Sequence, residues 1–143
     1  MKLKSILIVT LLISSLLLLG CATASSESYS EYHLKVSCAK FQVYHHFISE
    51  IQLAVGDTIT VELCSNPTTG FQWEYETTGK IVLQETDHKF VPSGSDVPGA
   101  PGKDIWTFEA IEKGETELRM EYSRPWEGGE KEEWTYTLSV TVE

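Results

Sequence analysis

Residue types that commonly perform catalysis or bind metals are present in this 143-residue chain, but they form no recognisable active-site motif. The four histidines are scattered, and only His45 and His46 are adjacent. Adjacent residues on a strand point to opposite faces of a sheet, so these two rings would not converge on one metal ion without a bend in the chain. The chain has no Gly-rich phosphate loop, no Gly-x-Ser-x-Gly elbow and no His-Glu-x-x-His motif. We therefore predict no catalytic residue and no metal site, because an enzyme would need a constellation assembled across several strands.

The first 21 residues are predicted to direct export and attachment to a membrane. Lys2 and Lys4 precede a 14-residue apolar segment that is too short to span a bilayer, a pattern typical of a secretory signal. The segment ends in Leu-Leu-Gly-Cys21, which resembles a prokaryotic lipobox and implies that Cys21 is lipidated and becomes the mature N-terminus. The alternatives are an ordinary signal peptide followed by an incidental cysteine, and a short membrane anchor.

The domain organisation follows from the predicted export signal. We predict a lipoprotein-type signal peptide over residues 1–20, a flexible tether of small polar residues over residues 21–30, and one folded domain over residues 31–143. The protein would then be exported and lipid-anchored in the cell envelope, at the outer face of a membrane or in a periplasm. In that oxidising location Cys38 and Cys64 are candidates for a disulfide. The alternative is two buried free thiols.

The charge of the chain restricts its partners. Eleven Lys and Arg residues stand against 21 Asp and Glu residues, giving a formal net charge of −10. A protein with no excess of basic residues cannot displace counterions from phosphates, so we predict that it does not bind nucleic acid. A composition of 41% hydrophobic and 22% charged residues is typical of a globular domain.

Mostly apolar residues alternate with polar residues along most of the chain after residue 30. This period of two is typical of strands that bury one face. Glycine-containing pairs such as Lys113-Gly114 separate the segments as turns do. We count seven or eight short strands and no convincing long amphipathic helix. This predicts an all-β fold, an immunoglobulin-like antiparallel β-sandwich. The inward positions are Ile59, Val61 and Leu63; Phe71, Trp73 and Tyr75; Trp106, Phe108 and Ala110; Thr116, Leu118, Met120 and Tyr122; and Trp134, Tyr136, Leu138, Val140 and Val142.

Three segments rich in Pro, Gly and polar residues, 65–70, 97–102 and 123–129, lie between predicted strands. Alternate connections of an immunoglobulin-like sandwich collect at one end. Assigned to the B–C, D–E and F–G connections, the three segments would therefore form a composite binding edge. The alternative is that they are simple turns. The candidate binding residues are Asn66, Pro67, Thr68, Thr69, Gly70, Gly99, Ala100, Pro101, Gly102, Arg124, Pro125 and Trp126.

These segments resemble the loop motifs of the chagasin family, which are proteinaceous inhibitors of papain-like cysteine peptidases. Asn-Pro-Thr-Thr-Gly-Phe at 66–71 matches the first motif of the family in full, and Arg-Pro-Trp at 124–126 matches the third. The middle motif, of the Gly-x-Gly-Gly type, is matched less well by residues 99–102, because Pro101 has no backbone N–H to donate. The resemblance covers about residues 50–142, with the order and spacing of the three loops intact.

The resemblance implies that the chain is a reversible, non-covalent inhibitor and not an enzyme, with no cofactor and, by family precedent, a monomeric state. Its partners would be papain-like cysteine peptidases, and it would meet a membrane through its lipid anchor alone. The three loops would occlude a cleft that holds a thiolate beside a protonated imidazole. The competing interpretations are a cell-surface immunoglobulin-like adhesion or binding module without inhibitory activity and a hydrolytic or metal-dependent enzyme.

The resemblance also implies roles for individual residues. Thr68 and Thr69 would lie near the catalytic pair of the peptidase, and Trp126 would pack on the rim of its cleft. Asn66 would hydrogen-bond within its own loop, while Arg124 would either contact the enzyme or brace its loop. A disulfide from Cys38 to the residue at the base of the first loop, Cys64, would rigidify that loop and lower the ordering cost of binding.

Overall fold

The structure is a computed structural model that describes residues 28–95 and 97–143. The predicted signal peptide, the predicted lipidation site Cys21 and most of the predicted tether lie outside the described residues. Among the described residues, no helix is long and apolar enough to cross a membrane. The elements are β1 (Glu31–Val36), α1 (Cys38–Tyr44), β2 (His46–Leu53), β3 (Thr58–Ser65), a single 3-10 turn (Pro67–Thr69), β4 (Gln72–Gly79), β5 (Leu83–Val91), β6 (Gly102–Ala110), β7 (Gly114–Ser123) and β8 (Trp134–Val142).

The eight strands form two four-stranded sheets, which confirms the predicted immunoglobulin-like sandwich. One sheet has the order β1-β3-β6-β5 and the other β2-β8-β7-β4. Four of the neighbouring pairs are antiparallel, whereas β1 pairs with β3 and β2 pairs with β8 in parallel. The parallel pairs arise because the chain crosses from one sheet to the other between β1 and β2, so each sheet gains an outer strand.

The core lies between the sheets and consists of the residues that the alternation placed inward. These side chains are almost fully buried because strand residues two apart share a face. The exceptions are Phe71 and Trp134, which are half-buried, and Tyr75, which lies on the outer strand β4 and remains 37% exposed. The most deeply buried of the predicted positions are Ile59, Val61, Leu63, Trp106, Phe108, Ala110, Leu118, Met120, Tyr122, Tyr136, Leu138, Val140 and Val142.

The short helix α1 was not predicted, and it changes the interpretation of the two adjacent histidines. His45 follows α1 as its C-terminal cap, with a φ of 53°, and His46 begins β2. The two residues therefore do not share a strand, and the chain bends between them. Their rings lie 6.4 Å apart with separate partners, the Glu133 carbonyl for His45 and the Thr135 hydroxyl for His46. No group of three His, Cys, Asp or Glu side chains suited to a metal ion occurs within the described ranges.

The strand directions decide which connections lie together. β3 pairs antiparallel with β6, and β7 pairs antiparallel with β4 and β8. Odd-numbered strands run toward one end of the sandwich, and even-numbered strands run away from it. The connections β3–β4, β5–β6 and β7–β8 therefore meet at that end, as the assignment to B–C, D–E and F–G predicts. The described chain begins at the opposite end, where the backbone N–H of Ser30 donates to Asp57.

Candidate functional site

The candidate site is the surface formed by the three connections that meet at one end of the sandwich. We call this surface the loop edge. It consists of loop 1 (residues 66–71, between β3 and β4), loop 2 (residues 92–101, between β5 and β6) and loop 3 (residues 124–133, between β7 and β8). All the candidate binding residues except Gly102 lie in these loops.

Loop 1 is a 3-10 turn that is closed by its own side chains. Asn66 caps the turn, because its side-chain oxygen accepts from the backbone N–H of Thr68 at 3.3 Å and from the Thr68 hydroxyl at 2.6 Å. The Thr69 hydroxyl donates to the Asn66 carbonyl at 2.7 Å. Pro67 begins the turn, and Gly70 ends it with a left-handed φ of 81°. Both threonine hydroxyl protons are thus used inside the loop, which leaves the methyl groups and exposed backbone to meet a partner.

The base of loop 1 is held by three contacts with the sandwich. The Trp73 indole N–H donates to the Cys64 carbonyl at 2.8 Å, and the Asn66 backbone N–H donates to the Tyr122 hydroxyl at 2.8 Å. The third contact is covalent, because a disulfide joins Cys64 to Cys38 at the start of α1. A loop fixed in this way loses little conformational freedom when it binds.

Loop 2 is joined to loop 1 by the side chain of Asn66. The Asn66 amide donates to the Gly99 carbonyl at 2.9 Å, so one residue shapes its own loop and holds the next. Gly99 adopts a φ of 76°, which favours glycine, and lies beside the Thr68 hydroxyl. Asn66 therefore reaches beyond the contacts within its own loop that the sequence predicted.

Gly102 does not belong to the exposed loop in which the sequence placed it. The structure puts it at the first position of β6, buried and paired with Ser65. A Cβ there would lie 2.4 Å from the Val91 carbonyl oxygen and 2.6 Å from the Phe90 ring, so the glycine is needed for strand packing. Ala100 and Pro101 remain on the loop edge, the first half-buried and the second exposed.

Loop 3 is braced against loop 1 by Arg124. The guanidinium lies 4.5 Å from the centroid of the Phe71 ring and donates to the Thr69 carbonyl at 3.4 Å. The backbone N–H of Arg124 donates to the Glu130 carbonyl at 2.8 Å, and its own carbonyl accepts from the Lys131 ammonium at 2.6 Å. The sequence left the role of Arg124 open between a peptidase contact and a brace, and these contacts are those of a brace.

Trp126 lies beside loop 1 and is 53% exposed. Its ring packs over Gly70 so closely that a Cβ on Gly70 would lie 2.8 Å from the indole Cη2 atom. Glycine at position 70 is therefore required both by its positive φ and by the approach of the indole. Pro125, which precedes Trp126, is exposed.

A stack of aromatic rings beneath the loop edge is a feature that sequence reasoning missed. Successive ring centroids lie 5.2 Å apart from Phe71 to Tyr122, 4.8 Å from Tyr122 to Trp134 and 5.0 Å from Trp134 to Phe41 in α1. The alternation marked three of these residues as inward-facing, but the stack depends on contacts between loop 1, β7, β8 and α1. No local pattern reveals such contacts.

The loop edge has the chemistry of a binding surface. Residues 66–71 and 97–102 include no charged residue, although the chain carries a net charge of −10. Among the candidate binding residues, the exposed ones are Pro67, Thr68, Thr69, Gly99, Pro101, Pro125 and Trp126, and the half-buried ones are Asn66, Gly70, Ala100 and Arg124. Loop 3 differs, because it carries the charged residues Arg124, Glu127, Glu130, Lys131, Glu132 and Glu133. Two pre-positioned, uncharged segments beside one exposed indole are suited to filling a cleft in another protein.

Comparison with known protein families gives independent evidence of the family to which the chain belongs. Residues 52–140 match the sequence profile of the family described as Chagasin family peptidase inhibitor I42. Chagasin of Trypanosoma cruzi is 30% identical over 97 residues, which cover 65% of this chain and 88% of that protein. Amoebiasin-2 of Entamoeba histolytica is 30% identical over 93 residues, which cover 64% of this chain and 76% of that protein.

Solved structures share the fold. The crystal structure of the cysteine protease inhibitor EhICP2 from Entamoeba histolytica has a TM-score of 0.62 and 21% identity, covering 81% of this chain and 99% of that chain. The structure of PbICP-C in complex with falcipain-2 has a TM-score of 0.53 and 16% identity, covering 81% of this chain and all of that chain. The sandwich, the loop motifs and the family match agree, and the chain belongs to the chagasin family of peptidase inhibitors.

Proposed function

We propose that this protein is a reversible, non-covalent inhibitor of papain-like cysteine peptidases, with the loop edge occluding the active-site cleft. Its family is made of peptidase inhibitors and not of enzymes. The inhibitor chagasin is similar along 88% of its length, and the structurally similar PbICP-C was solved in complex with falcipain-2. No observation favours the alternative of a surface binding module without inhibitory activity.

One observation gives the proposal its main support: side-chain contacts hold the three loops together in the free protein, before any peptidase is bound. Asn66 joins loop 1 to loop 2, and Arg124 joins loop 3 to loop 1. Thr68, Thr69 and Trp126 stay exposed on the surface that results. A pre-organised surface binds a rigid cleft tightly because little ordering is needed. The turn that Pro67 and Gly70 delimit is compact and internally bonded, so it presents no extended peptide bond to the thiolate.

Titration of papain with protein comprising residues 22–143 tests this function. These residues retain both sheets, the disulfide and the whole core, so they carry the fold. Residual activity on a small fluorogenic substrate should fall stoichiometrically and recover on dilution, whereas a serine protease such as trypsin should be unaffected. Full papain activity in the presence of the folded protein would contradict the proposal.

Trp126 is expected to be an anchor of the complex. Trp126→Ala should weaken papain inhibition by at least about 1 kcal/mol, because a large indole that becomes buried in an interface is a frequent hot spot. The fold should survive, since the ring is half exposed in the free protein. The inhibition constant measures the lost binding free energy. Trp126→Phe, which keeps an aromatic ring, should weaken inhibition less than Trp126→Ala does. Equal inhibition by the wild type and a folded Trp126→Ala variant would remove Trp126 from the interface.

We also propose that the protein is exported and anchored through lipidated Cys21, acting as a monomer. The Leu-Leu-Gly-Cys sequence supports the anchor, and the direction of β1 fits it. The chain enters β1 at the end opposite the loop edge, where Thr58 donates to the Ser30 carbonyl. A tether leading to a membrane from that end would hold the loop edge away from the bilayer.

Labelling with a radioactive fatty acid tests the anchor. Bacteria that express the full chain should incorporate the label into this protein and retain it in the membrane fraction, because a lipidated N-terminal cysteine inserts in the bilayer. Cys21→Ala should abolish both the label and the membrane retention. An unlabelled wild-type protein, or a Cys21→Ala variant labelled to the same extent, would contradict lipidation at Cys21.

A further inference from the structure

The helix α1 lies at the same end of the sandwich as the three loops. β1 runs parallel to β3, with Val36 opposite Leu63, so β1 ends where β3 leads into loop 1. β2 begins with His46 opposite Thr135, at the base of loop 3. The connection from β1 to β2 is therefore a fourth connection at the loop edge, and it consists of α1.

Both ends of α1 are fastened to the loops beside it. The disulfide joins Cys38, its first residue, to Cys64 at the base of loop 1. At the other end, Thr135 donates its backbone N–H to the His45 carbonyl at 3.0 Å, and the His45 ring nitrogen Nδ1 lies 3.0 Å from the Glu133 carbonyl oxygen. The helix is thus held in a fixed position relative to loops 1 and 3.

The buried side of α1 determines which of its residues face outward. Phe41 is fully buried, and its ring centroid lies 5.0 to 5.4 Å from those of Phe47, Trp73 and Trp134. Successive helical residues are about 100° apart, so Ala39 and Val43 lie opposite Phe41. Both are exposed, and 66% of Val43 is accessible.

The outward side of α1 continues into the loop edge. A pocket of 370 Å³ lies between α1 and the loops. Cys38 and Gln42 of α1 line one side of it, and Asn66, Thr69 and Arg124 of the loops line the other. Gln42 lies one helical turn after Cys38, beside the outward pair, so α1 and the loops form one continuous surface. A body that covers loops 1 and 3 therefore comes close to Gln42, and Val43 is the next exposed residue of α1.

The chemistry of α1 indicates what it would meet. Lys40 is its one charged residue, in a chain whose net charge is −10. Its outward side presents a methyl group, an amide and an exposed isopropyl group, from Ala39, Gln42 and Val43. Such a surface is complementary to an uncharged, largely apolar surface.

We propose that α1 is a fourth peptidase-contacting element, an inference that rests on the proposed function. While the loop edge fills the active-site cleft, Ala39, Gln42 and Val43 pack on uncharged, apolar peptidase surface beside the cleft. Because surfaces beside a cleft differ more between peptidases than the catalytic pair does, α1 sets which peptidases are bound most tightly.

Two matched substitutions test the role of α1. Val43→Asp places a charge on the outward side of the helix, and Ile81→Asp places the same charge on an equally exposed apolar residue between β4 and β5, at the far end of the sandwich. Inhibition constants are measured on papain and two further papain-like peptidases. Val43→Asp should weaken inhibition about tenfold or more, by a factor that differs between the peptidases, whereas Ile81→Asp should leave every constant unchanged.

A second variant and a contact readout keep the result interpretable. Ala39→Arg, which adds bulk without requiring a change in the core, should act in the same direction if Val43→Asp does not fold. A photoreactive p-benzoylphenylalanine in place of Val43 should crosslink to papain, and in place of Ile81 it should not. Wild-type inhibition by folded α1 variants, with no crosslink at position 43, would overturn the role of α1 alone. Failure of the wild type to inhibit any peptidase would overturn this inference together with the proposed function.

Discussion

Thr69→Arg is expected to weaken inhibition of papain by about 3 kcal/mol or more, a factor of roughly 100 in the inhibition constant. Thr69 is exposed in the 3-10 turn of loop 1, with its hydroxyl bonded to the Asn66 carbonyl and its carbonyl accepting from Arg124. An arginine there adds a long cation at the part of the turn proposed to enter the cleft. The cation would have to lose water and approach the protonated imidazole of the peptidase, and both effects oppose binding.

Two controls separate this effect from damage to the loop. Thr69→Ser keeps the hydroxyl that donates to Asn66 and removes one methyl group, so it should stay within about tenfold of the wild type. Ile81→Arg adds the same charge at the far end of the sandwich and should not change inhibition. Equal thermal midpoints would establish that the variants fold alike. An unchanged inhibition constant for folded Thr69→Arg would exclude loop 1 from the peptidase cleft.

Much of the fold could be predicted because strand burial has a short, local signature. Residues such as Leu118, Met120 and Tyr122 alternate with charged residues, and each is buried as that pattern requires. The common end of the three loops was also predictable, because strand direction reverses at every connection of an antiparallel sandwich. Tyr75 departs from the pattern because β4 is an outer strand, and the order of strands in a sheet is not encoded locally.

The helix α1 could not be predicted, because its stability does not come from its own sequence. Seven residues are too few for a helix to be stable alone in water. It forms because Phe41 is buried among three aromatic rings and because Cys38 is bonded to Cys64. These partners are distant in sequence, and only the folded chain brings them together.

The contacts between the loops could likewise not be predicted from the sequence. The bond from Asn66 to the Gly99 carbonyl spans 33 residues, and the contact of Arg124 with Thr69 spans 55. Gly102 was placed in a loop because Pro and Gly cluster around it, whereas its small size is required by the neighbouring strand β5. The motifs identify which residues form the loop edge, but only the packing shows which of them brace it.

Removal of the disulfide is expected to cost far more in stability than in inhibition. Cys38 and Cys64 are 26 residues apart, and opening a loop of that length lowers the free energy of unfolding by about 3 to 4 kcal/mol through the entropy of the unfolded chain. The double variant Cys38→Ser, Cys64→Ser should therefore unfold at clearly lower urea concentration. Inhibition at 25 °C should weaken by about tenfold or less, because Trp73 and Tyr122 still hold the base of loop 1.

Reduction of the wild type provides the matched control for this variant. Dithiothreitol should lower the urea midpoint of the wild type to that of the double variant and leave the double variant unchanged, since only the wild type contains the bond. Tryptophan fluorescence follows both transitions. Because papain assays contain thiol, the disulfide state of the inhibitor must be checked in the assay buffer. A wild type whose midpoint is the same with and without dithiothreitol would show that the bond contributes nothing. A loss of inhibition as large as that of Thr69→Arg would show that the bond, and not the hydrogen bonds beneath it, holds loop 1 in its binding conformation.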